Sequence, residues 1–170
     1  MLTRAEMIDA VIIREGGERV TNHPNDRGSW TKFGITAATL GSARHLGRDA
    51  TADEIKHLSI AEARAIYADR YIDGPGFGVI GDGRLLEVVF DDAVNMGPTA
   101  ATRHLQLALK VPADGVIGPK TRVAIANCNR DEIVTGVTKA RCLHYAQIVR
   151  DDHSQATFIV GWLSRALSFL

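Results

Sequence analysis

Glu15 is the side chain whose position most directly suggests chemistry. Ile8, Val11 and Ile12 have the spacing of a helix that buries one face, and one more step along that face reaches Glu15. Burial and the negative end of a helix dipole both disfavour an ionised carboxyl group. A carboxyl group that keeps its proton can act as the general acid of glycosidic cleavage. The same spacing also permits an exposed glutamate that pairs with a neighbouring arginine.

Asp26 and Thr31 are the polar side chains that could complete such a site. They belong to a stretch from Gly16 to Thr31 that is rich in Gly, Asn, Asp and Pro, which predicts an irregular loop or short hairpin. If the loop folds back over the helix end, a carboxylate and a hydroxyl face the glutamate. Such a pair can hold an attacking water or stabilise positive charge at a sugar's anomeric carbon. The same residue types are also typical of ordinary turns.

Helical signals dominate the rest of the chain, so the sequence predicts a mainly α fold. Residues 85–95 (LLEVVFDDAVN) form the most hydrophobic run, and their β-branched content could also suggest a strand. The length of the run and the Gly97-Pro98 pair that follows favour a central buried helix. The other segments predicted as helices are 3–15, 36–46, 59–71, 98–109, 131–149 and 155–167, with a short helix after Pro119.

Composition restricts the classes of function. The chain has 170 residues, 45% of them hydrophobic and 24% charged, which fits a soluble globular protein of one compact domain or a domain with a small carboxyl-terminal half. Twenty basic and twenty acidic residues leave no positive excess for nucleic acid. The two cysteines and six histidines show no metal-ligand spacing, so neither a metal nor an organic cofactor is expected.

The amino-terminal segment has no uninterrupted apolar core and no small-residue cleavage site, so it is not expected to be a signal peptide. No stretch approaches the roughly 20 apolar residues of a membrane span. The expectation is a protein made in the cytoplasm without a signal peptide, and a monomer by default.

Six ordered motifs resemble those of glycoside hydrolase family 108, the N-acetylmuramidases of phage-type endolysins and secretion-associated lysozyme-like proteins. They are REGG at 14–17, PNDRGSWTKFGIT at 24–36, EARAIYADRY at 62–71, FDDAVNMGPTAATRHLQLAL at 90–109, DGVIGPKT at 114–121 and GWLSRA at 161–166. The resemblance implies a lysozyme-like catalytic region at 1–110 with a short loop or hairpin after the first helix. It also implies a small helical peptidoglycan-binding region at 111–170, packed on the first or part of one compact domain.

By resemblance, Glu15 is the catalytic acid, Asp26 its carboxylate partner and Thr31 a hydroxyl that positions water. The loop departs from the family pattern, because Glu18 and Arg19 stand as an apparent insertion. The step from Glu15 to Asp26 is therefore eleven positions long.

Five further residues are candidates for substrate binding, each with a structural alternative. Asn95 could bind an N-acetyl group or cap the end of its helix. Tyr67 and Tyr71 could line a sugar groove, although Tyr67 could equally pack in the core. Trp30 could be a sugar platform or a lid over the acid. Asp91 could serve the site, or be buried and hold a loop.

The expected function is a peptidoglycan hydrolase that cleaves the β-1,4 bond between N-acetylmuramic acid and N-acetylglucosamine, with peptidoglycan glycan strands as partner. A lytic transglycosylase that uses the same acid, or an inactive cell-wall-binding protein, are the alternatives. The expected place of action is the cell wall (periplasm), which the protein would reach through a holin or secretion machinery.

Overall fold

The computed structural model describes residues 2–22, 30–81 and 83–170, and it confirms a mainly α, lysozyme-like fold with a small hairpin sheet after the first helix. The helices are α1 (Arg4–Arg14), α2 (Ala37–Ala43), α3 (Ala52–Lys56), α4 (Ile60–Ala68), α5 (Arg84–Met96), α6 (Pro98–Ala108), α7 (Pro119–Ala126), α8 (Arg130–Asp151) and α9 (Ile159–Leu167). The strands are β1 (Thr21–Asn22), β2 (Trp30–Lys32) and β3 (Ile35–Thr36). A π-helical turn covers Asp69–Asp73, and 3₁₀ turns cover Phe77–Ile80 and His153–Phe158. Among the described residues, no helix has both the length and the apolar character to cross a bilayer.

The chain divides into two compact units. The amino-terminal unit is Arg4–Asp69, and the carboxyl-terminal unit is Arg70–Leu170 together with the residues up to Thr3. The boundary expected near residue 111 stays a prediction.

In the amino-terminal unit, an antiparallel sheet follows α1, and β2 is its central strand. Lys32 pairs with Ile35, so Phe33 and Gly34 form a two-residue turn between β2 and β3. Both turn residues have positive φ, 56° and 73°. Two such residues give a type I′ turn, whose twist matches that of the flanking strands. This turn fixes the register of β2.

Caps set the starts of the short helices in this unit. The Thr51 hydroxyl accepts from the backbone N–H of Glu54, whose carboxylate accepts from the N–H of Thr51, a complete capping box that begins α3. Ser59 and Glu62 have the sequence spacing of a second capping box. The Ser59 hydroxyl does cap α4, but the Glu62 carboxylate binds Arg44 at 2.7 and 2.8 Å instead of completing the box.

In the carboxyl-terminal unit, α5 covers residues 84–96, so the helical interpretation of the run at 85–95 is confirmed. Eight of its residues are buried, and Asp91 and Asp92 are among them. The 22-residue α8 packs against α5, α6 and α9. This packing brings charged side chains of all four helices together.

Candidate active site

Glu15 is the C-cap residue of α1, within a Schellman motif that ends the helix at Gly16 and Gly17. The N–H of Gly17 donates to the carbonyl of Ile12 at 3.0 Å, and the N–H of Gly16 donates to that of Ile13 at 3.2 Å. Gly16 has φ 108°, a conformation that favours glycine at this position. The predicted helix end is therefore confirmed, and Glu15 is half-buried one step beyond the buried pair Val11 and Ile12.

The turn between β2 and β3 packs directly on Glu15. A Cβ atom added to Gly34 would lie 2.6 Å from the Cβ of Glu15 and 2.5 Å from the hydroxyl oxygen of Tyr67. The hydroxyl of Tyr67 donates to the carbonyl of Phe33 at 3.0 Å, and the N–H of Phe33 donates to the carbonyl of Gly17. The turn is thus tied both to α4 and to the segment that follows Glu15.

Tyr67 therefore has a structural setting at the candidate site. Its side chain is 3% exposed, and its hydroxyl holds the turn that contacts Glu15. This agrees with the core-packing alternative for Tyr67, which acts on the site through the position of the turn. The sequence could not show this contact, because Phe33 and Tyr67 lie 34 positions apart.

Thr31 occupies the middle of the sheet. It pairs with Thr21 on one side and with Thr36 on the other, so three threonines form a row across the three strands. Directly paired residues share a face of the sheet. The Thr36 hydroxyl caps α2 by accepting from the N–H of Thr39 at 3.2 Å. The three threonines are half-buried. The β2–β3 turn fixes the strand pairing that places Thr31 in this row.

Trp30 and Lys32 lie on the opposite face from Thr31, because side chains alternate along a strand. The Lys32 ammonium donates to the carbonyls of Lys56 and Leu58 at 2.8 and 2.9 Å. The Lys56 ammonium lies 5.5 Å from the centre of the Trp30 ring. The half-buried Trp30 side chain is therefore directed toward the end of α3.

Asp26, the predicted carboxylate partner, lies outside the described residues. Its role as the partner of Glu15 stays a prediction.

Asn95 lies in the last turn of α5, where its side-chain oxygen accepts from the hydroxyl of Tyr145 at 2.5 Å. Tyr145 is fully buried and stacks on Trp162, whose ring centre is 5.2 Å away. Burial raises the pKa of the Tyr145 phenol, so the hydroxyl keeps the proton that it donates to Asn95. The buried Tyr145 therefore holds the side chain of Asn95 in place.

Tyr71 is half-buried in the π-helical turn.

Asp91 joins three helices rather than facing open solvent. Its carboxylate accepts from Arg141 at 2.8 Å and from Arg165 at 3.0 Å, and its side chain is 1% exposed. Buried charges in proteins are paired in this way because an isolated ion is costly to desolvate. The setting matches the alternative in which a buried Asp91 holds neighbouring elements together.

Asp92 extends this cluster toward the surface. Its carboxylate lies 2.7 Å from Nδ1 of His104, and Nε2 of His104 lies 3.0 Å from Nδ1 of His144. Burial, and then the neighbouring His104, lower the pKa of His144. The sequence did not indicate this chain of contacts, because its members come from three helices.

Comparisons with known proteins agree with this architecture. A family model described as glycosyl hydrolase 108 matches residues 8–97, and one described as a predicted peptidoglycan domain matches residues 100–167. No curated protein sequence matches. Among solved structures, SagA from Brucella abortus is similar at 30% identity and a TM-score of 0.74, over 98% of this chain and 94% of the SagA chain.

The first match includes Glu15 and Thr31, and the buried charges are divided between the two matches. They support a lysozyme-type glycosidase that degrades peptidoglycan and acts at the cell wall. With its fold, its two matched regions and its similarity to a solved structure in agreement, the chain belongs to the glycosyl hydrolase 108 family.

Proposed function

We propose that this hydrolase is an N-acetylmuramidase that cleaves the β-1,4 bond between N-acetylmuramic acid and N-acetylglucosamine, with Glu15 as general acid. The observation that carries the proposal is the fixed position of Glu15. Its backbone ends α1 in a Schellman motif, and its side chain packs against the turn at Gly34. A general acid must be held within hydrogen-bond reach of the glycosidic oxygen, and a side chain on a rigid helix end meets that requirement.

In the proposed reaction, the Glu15 carboxyl group gives its proton to the glycosidic oxygen as the bond from that oxygen to the anomeric carbon of N-acetylmuramic acid breaks. Positive charge develops on the muramic acid ring. A water molecule held by Thr31 attacks the anomeric carbon, and Asp26 accepts the proton that the water loses. Because a water must fit between the acid and its partner, the product is expected to have inverted configuration.

Asn95 is the proposed contact for an N-acetyl group. Its oxygen is occupied by the Tyr145 hydroxyl, so its amide N–H₂ is the part available to donate to a substrate carbonyl. Roles of Tyr71, Trp30 and Asp91 in substrate binding stay predictions, as do the monomeric state and the export route through a holin or secretion machinery.

The test is mass and reducing-end analysis of purified peptidoglycan digested by the wild type and by Glu15→Gln. Gln preserves the size of the side chain but has no proton of suitable acidity to give. Reducing N-acetylmuramic acid ends made by the wild type and lost in Glu15→Gln, with unchanged thermal unfolding, would support the proposal. Product ends that are lighter by one water, as 1,6-anhydro sugars are, would instead identify the enzyme as a lytic transglycosylase. Wall binding without any release of fragments would contradict catalysis on this substrate.

A further inference from the structure

A groove of about 660 Å³ runs between α6 and α8 in the carboxyl-terminal unit. The helices approach closely beside it, since a Cβ atom added to Gly136 would lie 2.7 Å from the Cβ of Ala108. All of the described lining residues fall between positions 100 and 147. The groove therefore lies wholly within the region that matches the peptidoglycan domain, and the roles proposed for Glu15 and Asn95 do not use it.

The charged residues of the groove are all basic. Arg103 comes from the middle of α6, Lys110 from the turn that follows α6, and Lys139 from α8. All three are exposed, and no acidic side chain is among the described lining residues. Lys110 and Lys139 are in no ion pair among the described residues, whereas the charge of Arg103 is near enough to the Asp114 carboxylate to contribute to the lowered pKa of that group. In a chain with no net charge, this concentration of cations on one groove is a local feature of the fold.

Between the cations, the groove is lined by small and apolar groups. Leu107 and Leu143 are each 57% exposed although both are large and hydrophobic. Ala100, Ala108 and Ala140 also line it and leave space above the helix backbones. Apolar side chains exposed in a concave site, with charges at its edges, suit a ligand that carries both methyl groups and anionic groups.

His144 gives the groove a polar group with a fixed orientation. The contacts from Asp92 through His104 engage Nδ1 of His144, so Nε2 is the ring nitrogen left for a ligand. Asp92 and His104 are 0% and 4% exposed, which makes this support rigid. A buried support that orients one exposed nitrogen is typical of a binding site.

We infer that this groove binds the peptide stems of peptidoglycan, an inference that rests on the proposed function. A stem peptide carries both alanine methyl groups and free carboxylates, because its glutamate is linked through the γ-carboxyl group and keeps its α-carboxylate. The methyl groups fit between Leu107 and Leu143, and the carboxylates meet Arg103, Lys110 and Lys139. Neutral sugars would not use three cations, and a polyphosphate would not use the apolar surface. The groove thus recognises the wall through its peptide, while the amino-terminal unit acts on the glycan.

The test measures binding of the fluorescently labelled tripeptide L-alanyl-γ-D-glutamyl-meso-diaminopimelate to the full chain. Lys139→Glu reverses one groove charge on the exposed face of a long helix and is expected to weaken binding at least tenfold. Lys120→Glu, the matched control, makes the same change at an exposed position on α7 outside the groove and is expected to bind as the wild type does. Raising the salt concentration from 50 to 300 mM should weaken wild-type binding, because the contacts are between exposed charges.

Two kinds of result would overturn the inference. One is no measurable binding of the tripeptide to the wild type at millimolar concentration, or equal binding to wild type and Lys139→Glu. The other is equal affinity for a tripeptide with amidated carboxylates, or tighter binding of inorganic tripolyphosphate than of the peptide, which would assign the groove to another polyanion. The tripeptide contains no sugar, so its binding is independent of glycan cleavage. A wild type that binds it but releases no reducing ends would contradict only the muramidase proposal.

Discussion

At the candidate site, the absence of a side chain on Gly34 is what allows the β2–β3 turn to approach Glu15. Any residue other than glycine would place a Cβ atom at this position. That Cβ atom would lie 2.6 Å from the Cβ of Glu15. The neighbouring Tyr67 hydroxyl is just as near and is held by its bond to Phe33. The proposed acid is therefore positioned by a contact between the turn backbone and its side chain that admits no extra atom.

Gly34→Ala tests this contact. The new methyl group must push the turn away from Glu15, and alanine at φ 73° adds backbone strain. We expect a loss of roughly 2 to 4 kcal/mol in the free energy of unfolding. Activity per folded molecule should fall by about tenfold or more, because a shift of about 1 Å in a catalytic group is costly. Denaturant titration and reducing-end assays measure the two effects.

Gly47→Ala provides the matched control. Gly47 has φ 66°, but an added Cβ atom there would meet nothing within 4 Å. This variant carries the same backbone strain without the clash, and it should lose only about 1 to 2 kcal/mol while keeping wild-type activity. Equal activity of the Gly34 and Gly47 variants would show that the turn does not position the acid.

Glu15 could be selected from the sequence as a candidate because two local signals indicate its position. They are the helical spacing from Val11 and Ile12 and the glycine pair that follows Glu15. Local signals cannot show what packs against a residue from elsewhere in the chain. The sequence therefore did not indicate that Gly34 packs against Glu15. For the same reason, the sequence left Tyr67 undecided between a sugar groove and the core.

At the scale of elements, Gln106 organises the loop between α6 and α7. Its side-chain nitrogen donates to the Asp114 carboxylate, the Val116 carbonyl and the Thr121 hydroxyl at 2.7 to 3.1 Å. Its oxygen accepts from the N–H of Gly115 at 2.8 Å. The bond from Gln106 is the main cause that lowers the pKa of Asp114. A fully buried amide thus holds both ends of the DGVIGPKT motif.

Gln106→Ala should therefore release this loop. Four hydrogen bonds are lost, and the buried hydroxyl of Thr121 loses a partner, so we expect a destabilisation of roughly 2 to 4 kcal/mol. Limited proteolysis should cut the variant between residues 110 and 118 faster than the wild type. Gln147→Ala, at an exposed position of α8, should change neither quantity. Resistance of the Gln106 variant equal to that of the wild type would contradict the role of the amide.

The lengths of the elements decided which of them could be predicted. The helices α5 and α2 were predicted, because each leaves a signal within a few residues. The strands have only two or three residues, too few for alternation to be visible. The capping box of Thr51 and Glu54 was present in the sequence, and its signal could have located α3.

At the scale of the whole molecule, buried charges connect the helices of the carboxyl-terminal unit. Arg141 lies between Asp91 and Asp92, donates to Tyr145 at 2.6 Å and is 1% exposed. The two aspartates and Arg141 are about fifty positions apart in sequence. A single sequence gives no signal for such pairing, and this is why the network was not predicted although Asp91 was noticed.

Arg141→Met tests how strongly the network stabilises the unit. Methionine fills similar space, but it leaves Asp91 and Asp92 buried with less compensating charge. Breaking a buried pair by removing one partner costs about 3 to 5 kcal/mol. Denaturant titration should show that loss, whereas Arg150→Met, 72% exposed on the same helix, should change stability by less than about 1 kcal/mol. A loss below about 1 kcal/mol in Arg141→Met would refute the role of the network.

The hairpin turn has a consequence for how this lineage can change over evolutionary time. Thr31 takes its position from the residues that follow it, through the turn at Phe33 and Gly34 and the bond from Tyr67. Insertions and deletions upstream, such as the apparent gain of Glu18 and Arg19, can therefore accumulate without changing the face on which Thr31 is presented. An insertion of one residue in the turn itself would transfer Thr31 to the opposite face of the sheet. The two-residue turn is thus the part of the hairpin in which a change of length would move Thr31.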